Sequence, residues 1–330
     1  MIARMAGNAR SEVFAPGLLR GKVALVTGGG TGLGKATAIE LARCSAAVTI
    51  AGRRAETLES ATREILEEIG AGAGEDDAAM GAGTAEADRM DSVDWIAADV
   101  REPADARGLI ETVIERRGRL DILINNAGGQ YFTPAEGIVL KGWRAVWRLN
   151  VEGMMSMSEA AVEQGMGGVG EAAGAHEGAA GATRSGAEAG GVIVNVTLSP
   201  HHGMPGMAHS GAARATVEAL TREMAERWSD RKIAVTAVAA GHFDTEAMVK
   251  YPDTVRAGMA RSVPMQRLGE PQEHAWLVAL LCSPIGRALS GSTITLDGAR
   301  DNWFGPWPPP GLTGGTGEVP TEERRKVGPA

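Results

Sequence analysis

Cysteine is scarce in this chain, which has only Cys44 and Cys282 among its 330 residues. Two cysteines so far apart exclude a disulfide scaffold and a zinc ribbon. The six histidines show no ligand spacing either, so we expect no metal site. A chain that does not depend on disulfides fits a reducing compartment, and we expect it in the cytoplasm.

Long apolar runs and an excess of basic residues are also lacking. No stretch reaches the ~18 apolar residues of a membrane span, and the start, MIARMAGNARSEVFAPG, lacks the apolar core of a signal peptide. The formal net charge is −8 and the sequence pI is about 5.4. Because nucleic acids and anionic membranes attract basic surfaces, we expect neither as a partner.

Glycine, by contrast, is in excess, with 46 residues, roughly twice the usual share of ~7%. Much of it falls in two Ala/Gly/Glu-rich stretches, near residues 70–91 and 165–190. Such stretches bury too little apolar surface to offset chain entropy, so we interpret them as disordered insertions. Residues 1–20 are predicted to be a flexible leader, and residues 301–330 an aromatic, proline-rich tail that is largely disordered at its end. One domain then spans residues 21–300.

Short apolar runs alternate with helix-type segments along this domain. The strands are predicted at 21–27, 46–52, 95–100, 120–125, 191–196, 233–238 and 293–296. The helices are predicted at 35–43, 55–69, 104–117, 135–164, 208–228 and 271–281. Strands that alternate with helices form a parallel sheet covered on both faces. The predicted fold class is therefore α/β, a doubly wound sheet of about seven parallel strands in a single domain.

A glycine cluster, TGGGTGLG, separates the first strand from the first helix. Glycines permit a tight turn and a close approach of the backbone to a pyrophosphate. The start of the following helix presents free N–H groups and a partial positive charge to the same anion. This turn predicts a dinucleotide site formed by Thr27, Gly28, Gly30, Thr31, Gly32, Leu33 and Gly34.

The residues after the second strand indicate which dinucleotide is bound. An acid at this point binds the ribose 2′-OH of NAD, whereas an arginine accommodates the 2′-phosphate of NADP. Here Arg53 and Arg54 follow the strand, and no acid occurs before Glu56. Two guanidinium groups can hold a phosphate through charge-assisted hydrogen bonds, so the sequence favours NADP(H). The alternative is that both arginines are solvated charges at the start of a helix.

Further motifs follow in a fixed order: Asp99-Val100, Asn125-Asn126-Ala127-Gly128, Asn150 and the run from Gly241 to Thr245. Together with the glycine turn, they resemble the classical short-chain dehydrogenases/reductases over about residues 20–300. The resemblance implies a Rossmann-type fold and a homo-oligomer, either a dimer or a tetramer. It also implies that Asp99 contacts the adenine, that Thr245 contacts the nicotinamide carboxamide and that Asn150 holds a water. The remaining cofactor-binding residues that it implies are Val100, Asn126, Ala127, Gly128 and Gly241.

The sequence departs from that family at the catalytic motif Tyr-x-x-x-Lys. Aligning Arg214 with the lysine places Ser210 at the tyrosine. The assisting serine falls near Thr197, although Leu198 or Ser199 would match with a slip of one residue. Arg214 keeps a positive charge that can bind the nicotinamide ribose, but its pKa is too high for proton transfer.

The missing phenol has a chemical interpretation. Reduction of a ketone needs a strong acid at the oxygen, whereas reduction of an enoyl thioester needs only donors that stabilise an enolate. The run from His209 to Ala215 and the run from Asn125 to Tyr131 resemble the peroxisomal-type trans-2-enoyl-CoA and 2,4-dienoyl-CoA reductases. We therefore predict an NADPH-dependent reductase of an acyl-CoA-like substrate. The alternatives are an alcohol/ketone oxidoreductase with a displaced acid and a non-catalytic NADP-binding protein.

Several side chains could donate the proton or polarise the thioester. We predict Tyr131 or a bound water as the donor, with Ser210 and Thr197 polarising the thioester. Tyr131 could instead be a packing residue at the end of a strand. Imidazoles titrate near neutrality, so the histidines of this region are further candidates, although each could also be a surface or packing residue. The other candidate donors are Gln130, His201, His202 and His209.

The stretch from His242 to Leu268 corresponds to the substrate lid of this fold. Its apolar side chains would suit an acyl chain, because methionine adapts to irregular apolar shapes. They are Phe243, Met248, Tyr251, Met259 and Met265. The aromatic run from Asp301 to Pro310 is predicted to pack over the rim of the site or on a neighbouring subunit.

Overall fold

The computed structural model describes residues 10–70, 92–168, 190–199, 206–250 and 253–301. Seven strands form one parallel sheet with the order β3-β2-β1-β4-β5-β6-β7. Their bounds are β1 Val23–Thr27, β2 Ala47–Gly52, β3 Val93–Ala97, β4 Ile122–Asn125, β5 Gly191–Leu198, β6 Ile233–Ala240 and β7 Thr293–Leu296. The predicted doubly wound sheet is confirmed, and its direction of winding reverses between β1 and β4.

Helices cover both faces of this sheet. Their bounds are α1 Gly32–Arg43, α2 Ala55–Gly70, α3 Pro103–Arg117, α4 Leu140–Trp147, α5 Gly153–Glu163, α6 Ala208–Arg227, α7 Asp253–Arg261 and α8 Pro271–Cys282. One apolar core joins the sheet to α1, α2 and α8. A second core joins the opposite face to α3, α5 and α6. Both faces of the central strands are buried, which explains their continuous apolar runs.

The main differences from the sequence prediction concern three elements. The third strand begins at Val93 and ends at Ala97, so that Asp99 and Val100 follow the strand. The predicted helix over 135–164 is interrupted by a π-helical turn, Arg148–Glu152, between α4 and α5. The lid contains α7, a helix that the sequence did not predict.

A chain of buried polar side chains crosses the second core. Asn125 Nδ2 donates to Ser158 Oγ at 2.9 Å and to Asn195 Oδ1 at 2.9 Å. Asn195 Nδ2 in turn donates to Thr221 Oγ1 at 2.9 Å. These hydrogen bonds link β4, β5, α5 and α6 to one another, although Asn125 Oδ1 has no partner among the described residues.

The start of the described chain packs on the domain. Leu19 is buried, and Ser11 Oγ donates to Oε1 of the buried Glu40. The 3₁₀ turn Met166–Gly168, at the start of the second predicted insertion, buries Met166. The remaining parts of the predicted leader, insertions and tail lie outside the described residues. None of the described helices is both long enough and apolar enough to cross a bilayer.

Candidate active site

A cleft of about 600 Å³ opens at the carboxyl ends of the strands, next to the point where the strand order reverses. Open α/β sheets bind their ligands at such a reversal. The cleft brings together residues from both halves of the sheet. It is lined by these residues of the predicted site: Gly28, Gly30, Thr31, Gly32, Leu33, Arg53, Arg54, Asp99, Val100, Asn126, Ala127, Gly128, Thr197, Arg214, Gly241 and Thr245.

The glycine turn has the geometry that a backbone phosphate site requires. Gly28 has φ +65° and Gly32 has φ +55°, conformations that side chains other than glycine rarely adopt. A Cβ on Gly29 would lie 2.7 Å from the Ile50 side chain. The turn is therefore packed directly on β2, and α1 begins at its end. These features fit the diphosphate of a dinucleotide.

Thr27 and Gly34 do not line the cleft but shape it. Thr27 Oγ1 donates to the Ile124 carbonyl at 3.1 Å and accepts from the N–H of Asn126 at 3.0 Å. A Cβ on Gly34 would lie 2.3 Å from the Gly28 carbonyl oxygen. Both residues hold the glycine turn against the loop after β4, so their predicted cofactor role is indirect.

The adenosine end of the cleft is rich in arginine. Arg53 and Arg54 are exposed and line the cleft, whereas Glu56 does not. Arg101, which the sequence analysis missed, donates from Nε to both carboxylate oxygens of Asp99, at 2.9 and 3.0 Å. These hydrogen bonds hold the pKa of Asp99 below its ordinary value. Asp99 is therefore an ionised acceptor at neutral pH.

Asn150 lies in the π-helical turn and not on the cleft surface. Its Nδ2 donates to the Gly129 carbonyl at 2.9 Å, and its Oδ1 accepts from the Gly129 N–H at 3.2 Å. The extra residue of a π turn re-aims a side chain, and here it directs the amide at the loop after β4. The water that the resemblance assigned to Asn150 stays a prediction, while its contact with this loop is direct.

Arg214 lies at the floor of the cleft. Its Nη1 donates to the Val196 carbonyl at 2.8 Å, and a Cβ on Gly128 would lie only 2.6 Å from its Nη2. Burial lowers the pKa of Arg214 to about 10, so it remains a cation at neutral pH. Among the described residues no carboxylate pairs with it. A partly buried cation with no carboxylate partner in the described chain favours a bound oxygen with negative charge.

The hydroxyls near Arg214 are placed differently from one another. Thr197 lines the cleft, and its Oγ1 donates to the Arg214 carbonyl at 3.3 Å. Ser199 donates to the carboxylate of Asp297 and does not line the cleft. Ser210, which the sequence analysis aligned with the family tyrosine, is fully buried, and its Oγ has no hydrogen-bond partner among the described residues. The structure thus brings only Thr197 of these three hydroxyls to the cleft.

Tyr131 is turned toward helices rather than into the cleft. Its ring lies 4.4 Å from the ring of His209, centroid to centroid. Its hydroxyl rests on α4, since a Cβ on Gly142 would lie 2.0 Å from that oxygen. His209 is buried, and burial lowers its pKa. Gln130 does line the cleft. The proton-donor role of Tyr131 stays a prediction, and its hydroxyl lies away from the cleft surface.

The lid supplies apolar side chains to one wall of the cleft. Phe243, Met248 and Met259 line it, whereas Met265 borders a separate small cavity of about 70 Å³. Tyr251, His201 and His202 lie outside the described residues. His242 also lines the cleft, and burial lowers its pKa to about 4. No cluster of metal-ligating side chains occurs in the described ranges.

The sequence analysis missed a contact between the lid and the glycine turn. Glu246 Oε2 accepts from the N–H of Gly32 at 2.8 Å, and its Oε1 lies 2.7 Å from Lys35 Nζ. The partners Gly32 and Glu246 are 214 residues apart in the chain. No local pattern could have paired them.

Comparisons with known proteins show the family to which the chain belongs. A family model described as short chain dehydrogenase matches residues 22–256. The peroxisomal 2,4-dienoyl-CoA reductase of Arabidopsis thaliana is 30% identical over 289 residues, which is 86% of this chain and 86% of the relative. The 3-oxoacyl-(acyl-carrier-protein) reductase FabG of Thermotoga maritima is 27% identical over 85% of this chain and 98% of the relative.

A solved structure gives the same result. The citronellol catabolism dehydrogenase (AtuB) of Pseudomonas aeruginosa PAO1 is 34% identical, with a TM-score of 0.67, and the match covers 88% of this chain and 98% of that one. The fold of this chain is thus shared with a solved dehydrogenase structure. With the family model spanning most of the domain, the chain belongs to the short chain dehydrogenases, a family of NAD(P)(H)-dependent oxidoreductases.

Proposed function

We propose that the protein is an NADPH-dependent reductase of the C=C bond of an enoyl-CoA or a related activated alkene. The observation that carries this proposal is the chemistry at the cleft floor. A partly buried cation, Arg214, lies there, and no tyrosine of the described chain lines the cleft. Such a site can stabilise negative charge on an oxygen but lacks the usual acid.

The choice of NADPH rests on Arg53 and Arg54. Both are exposed on the cleft where β2 ends, which is the position that discriminates a ribose 2′-phosphate from a 2′-OH. Asp99 is the only carboxylate among the described lining residues, and Arg101 already engages it. Positive charge therefore exceeds negative charge at this end of the cleft, which favours binding of the 2′-phosphate of NADPH.

The reaction needs few groups from the protein. When bound, the reduced dinucleotide supplies a hydride to the β-carbon of the alkene. The electron pair of the C=C bond would then move toward the thioester oxygen, where Arg214 would stabilise the charge, and Thr197 would assist once its hydroxyl leaves the Arg214 carbonyl. A proton from water completes the reduction at the α-carbon. We favour water over Tyr131 because the Tyr131 hydroxyl rests on Gly142.

The apolar lining supports an acyl substrate. Phe132, Leu149 and Met207 join Met248 and Met259 on the cleft surface. These flexible or flat apolar side chains can pack along an alkyl chain without hydrogen-bonding it. The proposed substrate class is therefore an acyl thioester with an apolar chain.

The test is NADPH oxidation with crotonyl-CoA and longer 2-enoyl-CoA esters, beside a panel of ketones. We expect turnover with the thioesters and little with the ketones. Arg214→Gln should lower kcat by about 100-fold or more, because it removes the cation that stabilises the developing charge. Arg214→Lys should retain part of the activity. Rapid ketone reduction without alkene reduction would contradict the proposal.

A second candidate function is reduction of a ketone or oxidation of an alcohol with a displaced acid. The observation that favours it is His242, which lines the cleft and whose Nδ1 has no hydrogen-bond partner among the described residues, so that its imidazole can hydrogen-bond a substrate oxygen. The name of the FabG relative, a 3-oxoacyl reductase, points the same way. The ketone panel distinguishes the two functions.

A further inference from the structure

A carboxylate of the lid occupies the anion-binding end of α1. Glu246 begins the 3₁₀ turn Glu246–Lys250, which follows β6. One of its oxygens accepts the Gly32 N–H at 2.8 Å and the other lies 2.7 Å from Lys35 Nζ. Gly32 and Lys35 belong to the first turn of α1, so a single carboxylate bridges the backbone and a side chain of that turn.

Nothing local to α1 compensates its positive end. The first turn contains no acidic residue, and the Thr31 side chain does not cap it. An uncapped helix N-terminus that carries a lysine attracts an anion. Glu246, in the lid that follows β6, supplies that anion. The Glu246 side chain is about half exposed, and although its partial burial opposes the charge, the hydrogen bonds from Lys35 and Gly32 keep its pKa below the ordinary value, so it is ionised at neutral pH.

The same end of α1 borders the proposed diphosphate site. Gly30, Thr31, Gly32 and Leu33 line the cleft on one side of the turn. A diphosphate held by this turn brings at least one negative charge per phosphate next to the Glu246 carboxylate. Like charges at close range repel each other, and one N–H cannot donate fully to two anions.

We propose that Glu246 is a built-in competitor for the diphosphate, holding the α1 N-terminus until a dinucleotide displaces it. The inference rests on the proposed cofactor cleft and goes further by assigning its regulation. Thr245 and Met248, on either side of Glu246 in the lid, line the cleft. Displacement of Glu246 from α1 therefore also moves the part of the lid that lines the cleft. Binding of the cofactor is thereby coupled to a rearrangement of the lid residues that form one wall of the cleft.

The test is a calorimetric titration of the full chain with NADP⁺ and, separately, with inorganic pyrophosphate. Glu246→Gln removes the charge but keeps a hydrogen-bond acceptor, and Glu246→Ala removes both. We expect each variant to bind both ligands about three- to tenfold more tightly than the unaltered protein. Glu64→Gln is the matched control, since Glu64 lies 2.9 Å from Lys35 Nζ but does not contact Gly32. It should change both dissociation constants by less than about twofold.

Three results would overturn the inference. Unchanged binding would show that Glu246 does not compete. Weaker binding would show that the contact fastens the lid over a bound nucleotide. An equal gain in Glu64→Gln would assign the effect to net charge. The readout is separate from the proposed reaction: a protein with the expected affinity shifts but no alkene reductase activity would refute the proposed function and leave this inference standing.

Discussion

Arginine is the residue type that distinguishes this site. Arg214 takes the place of the family lysine, Arg53 and Arg54 stand at the end of β2, and Arg101 engages Asp99. The first three could be recognised from the sequence, because their positions follow from the glycine turn and the motif order. Arg101 could have been recognised too, since it follows Asp99 by two residues. A planar cation that stays protonated at neutral pH binds and orients charge, and this favours electrostatic stabilisation over proton transfer.

At the residue scale, we predict that the double substitution Arg53→Ala/Arg54→Ala raises the KM for NADPH by at least about tenfold, because two charge-assisted contacts to the 2′-phosphate are lost. The KM for NADH should hardly change. Steady-state kinetics with both cofactors measures this. Arg63→Ala is a suitable control, since Arg63 is exposed on α2 and does not line the cleft. Equal losses with NADH and NADPH would contradict the assignment.

At the scale of elements, the strands were predictable and the connections were less so. Buried parallel strands are continuous apolar runs, and each of the seven was placed within a few residues. The π-helical turn at Arg148–Glu152 could not be predicted from the spacing of apolar residues, although it directs Asn150 at the loop after β4. The burial of Ser210 could not be predicted either, because the motif gives the position of a side chain along the helix and not its surroundings.

The loop after β4, which contains Gly128 and Gly129, provides a prediction with a matched control. A Cβ at Gly128 would lie 2.6 Å from Arg214 Nη2 and 2.9 Å from Asn150 Oδ1, whereas a Cβ at Gly129 would lie 3.3 Å from the flexible end of Leu149. Gly128→Ala should therefore displace Arg214 and lower kcat/KM by about 100-fold. Gly129→Ala should stay within a few-fold of the unaltered protein. Equal rates for the two variants in the same assay would show that Arg214 does not need its observed position.

At the scale of the whole molecule, long-range contacts join the parts that the sequence predicted separately. Glu40 on α1 accepts from Gln272 on α8 at 2.6 Å, and Asn125 and Asn195 link neighbouring strands. His274 on α8 is fully buried, and its ring lies 5.9 Å from that of Phe243 in the lid. Partners separated by 70 residues, as Asn125 and Asn195 are, or by 232, as Glu40 and Gln272 are, leave no local pattern, which is why the motif order predicted the cleft but not these contacts.

His274 makes the stability of the whole fold depend on pH. Burial lowers its pKa from 6.5 to about 4, so its contribution is complete above pH 6.5 and is lost as the pH falls toward 4. A pKa shift of this size corresponds to about 3 kcal/mol in the free energy of unfolding. We expect the free energy of unfolding, measured by urea titration, to fall over this range in the unaltered protein and to fall less in His274→Gln. Identical pH dependences would remove His274 as the cause.

The central claim is that hydride reaches an alkene carbon in a cleft that no tyrosine of the described chain lines. The most direct measurement is a single-turnover reaction of the protein with a 2-enoyl-CoA and NADPH that carries deuterium at the transferred position of C4, followed by mass spectrometry of the product. The account predicts a saturated acyl thioester with one deuterium on its β-carbon. Enoyl-CoA recovered unchanged, while a 3-oxoacyl-CoA is reduced to its 3-hydroxyacyl product in a parallel reaction, would contradict it.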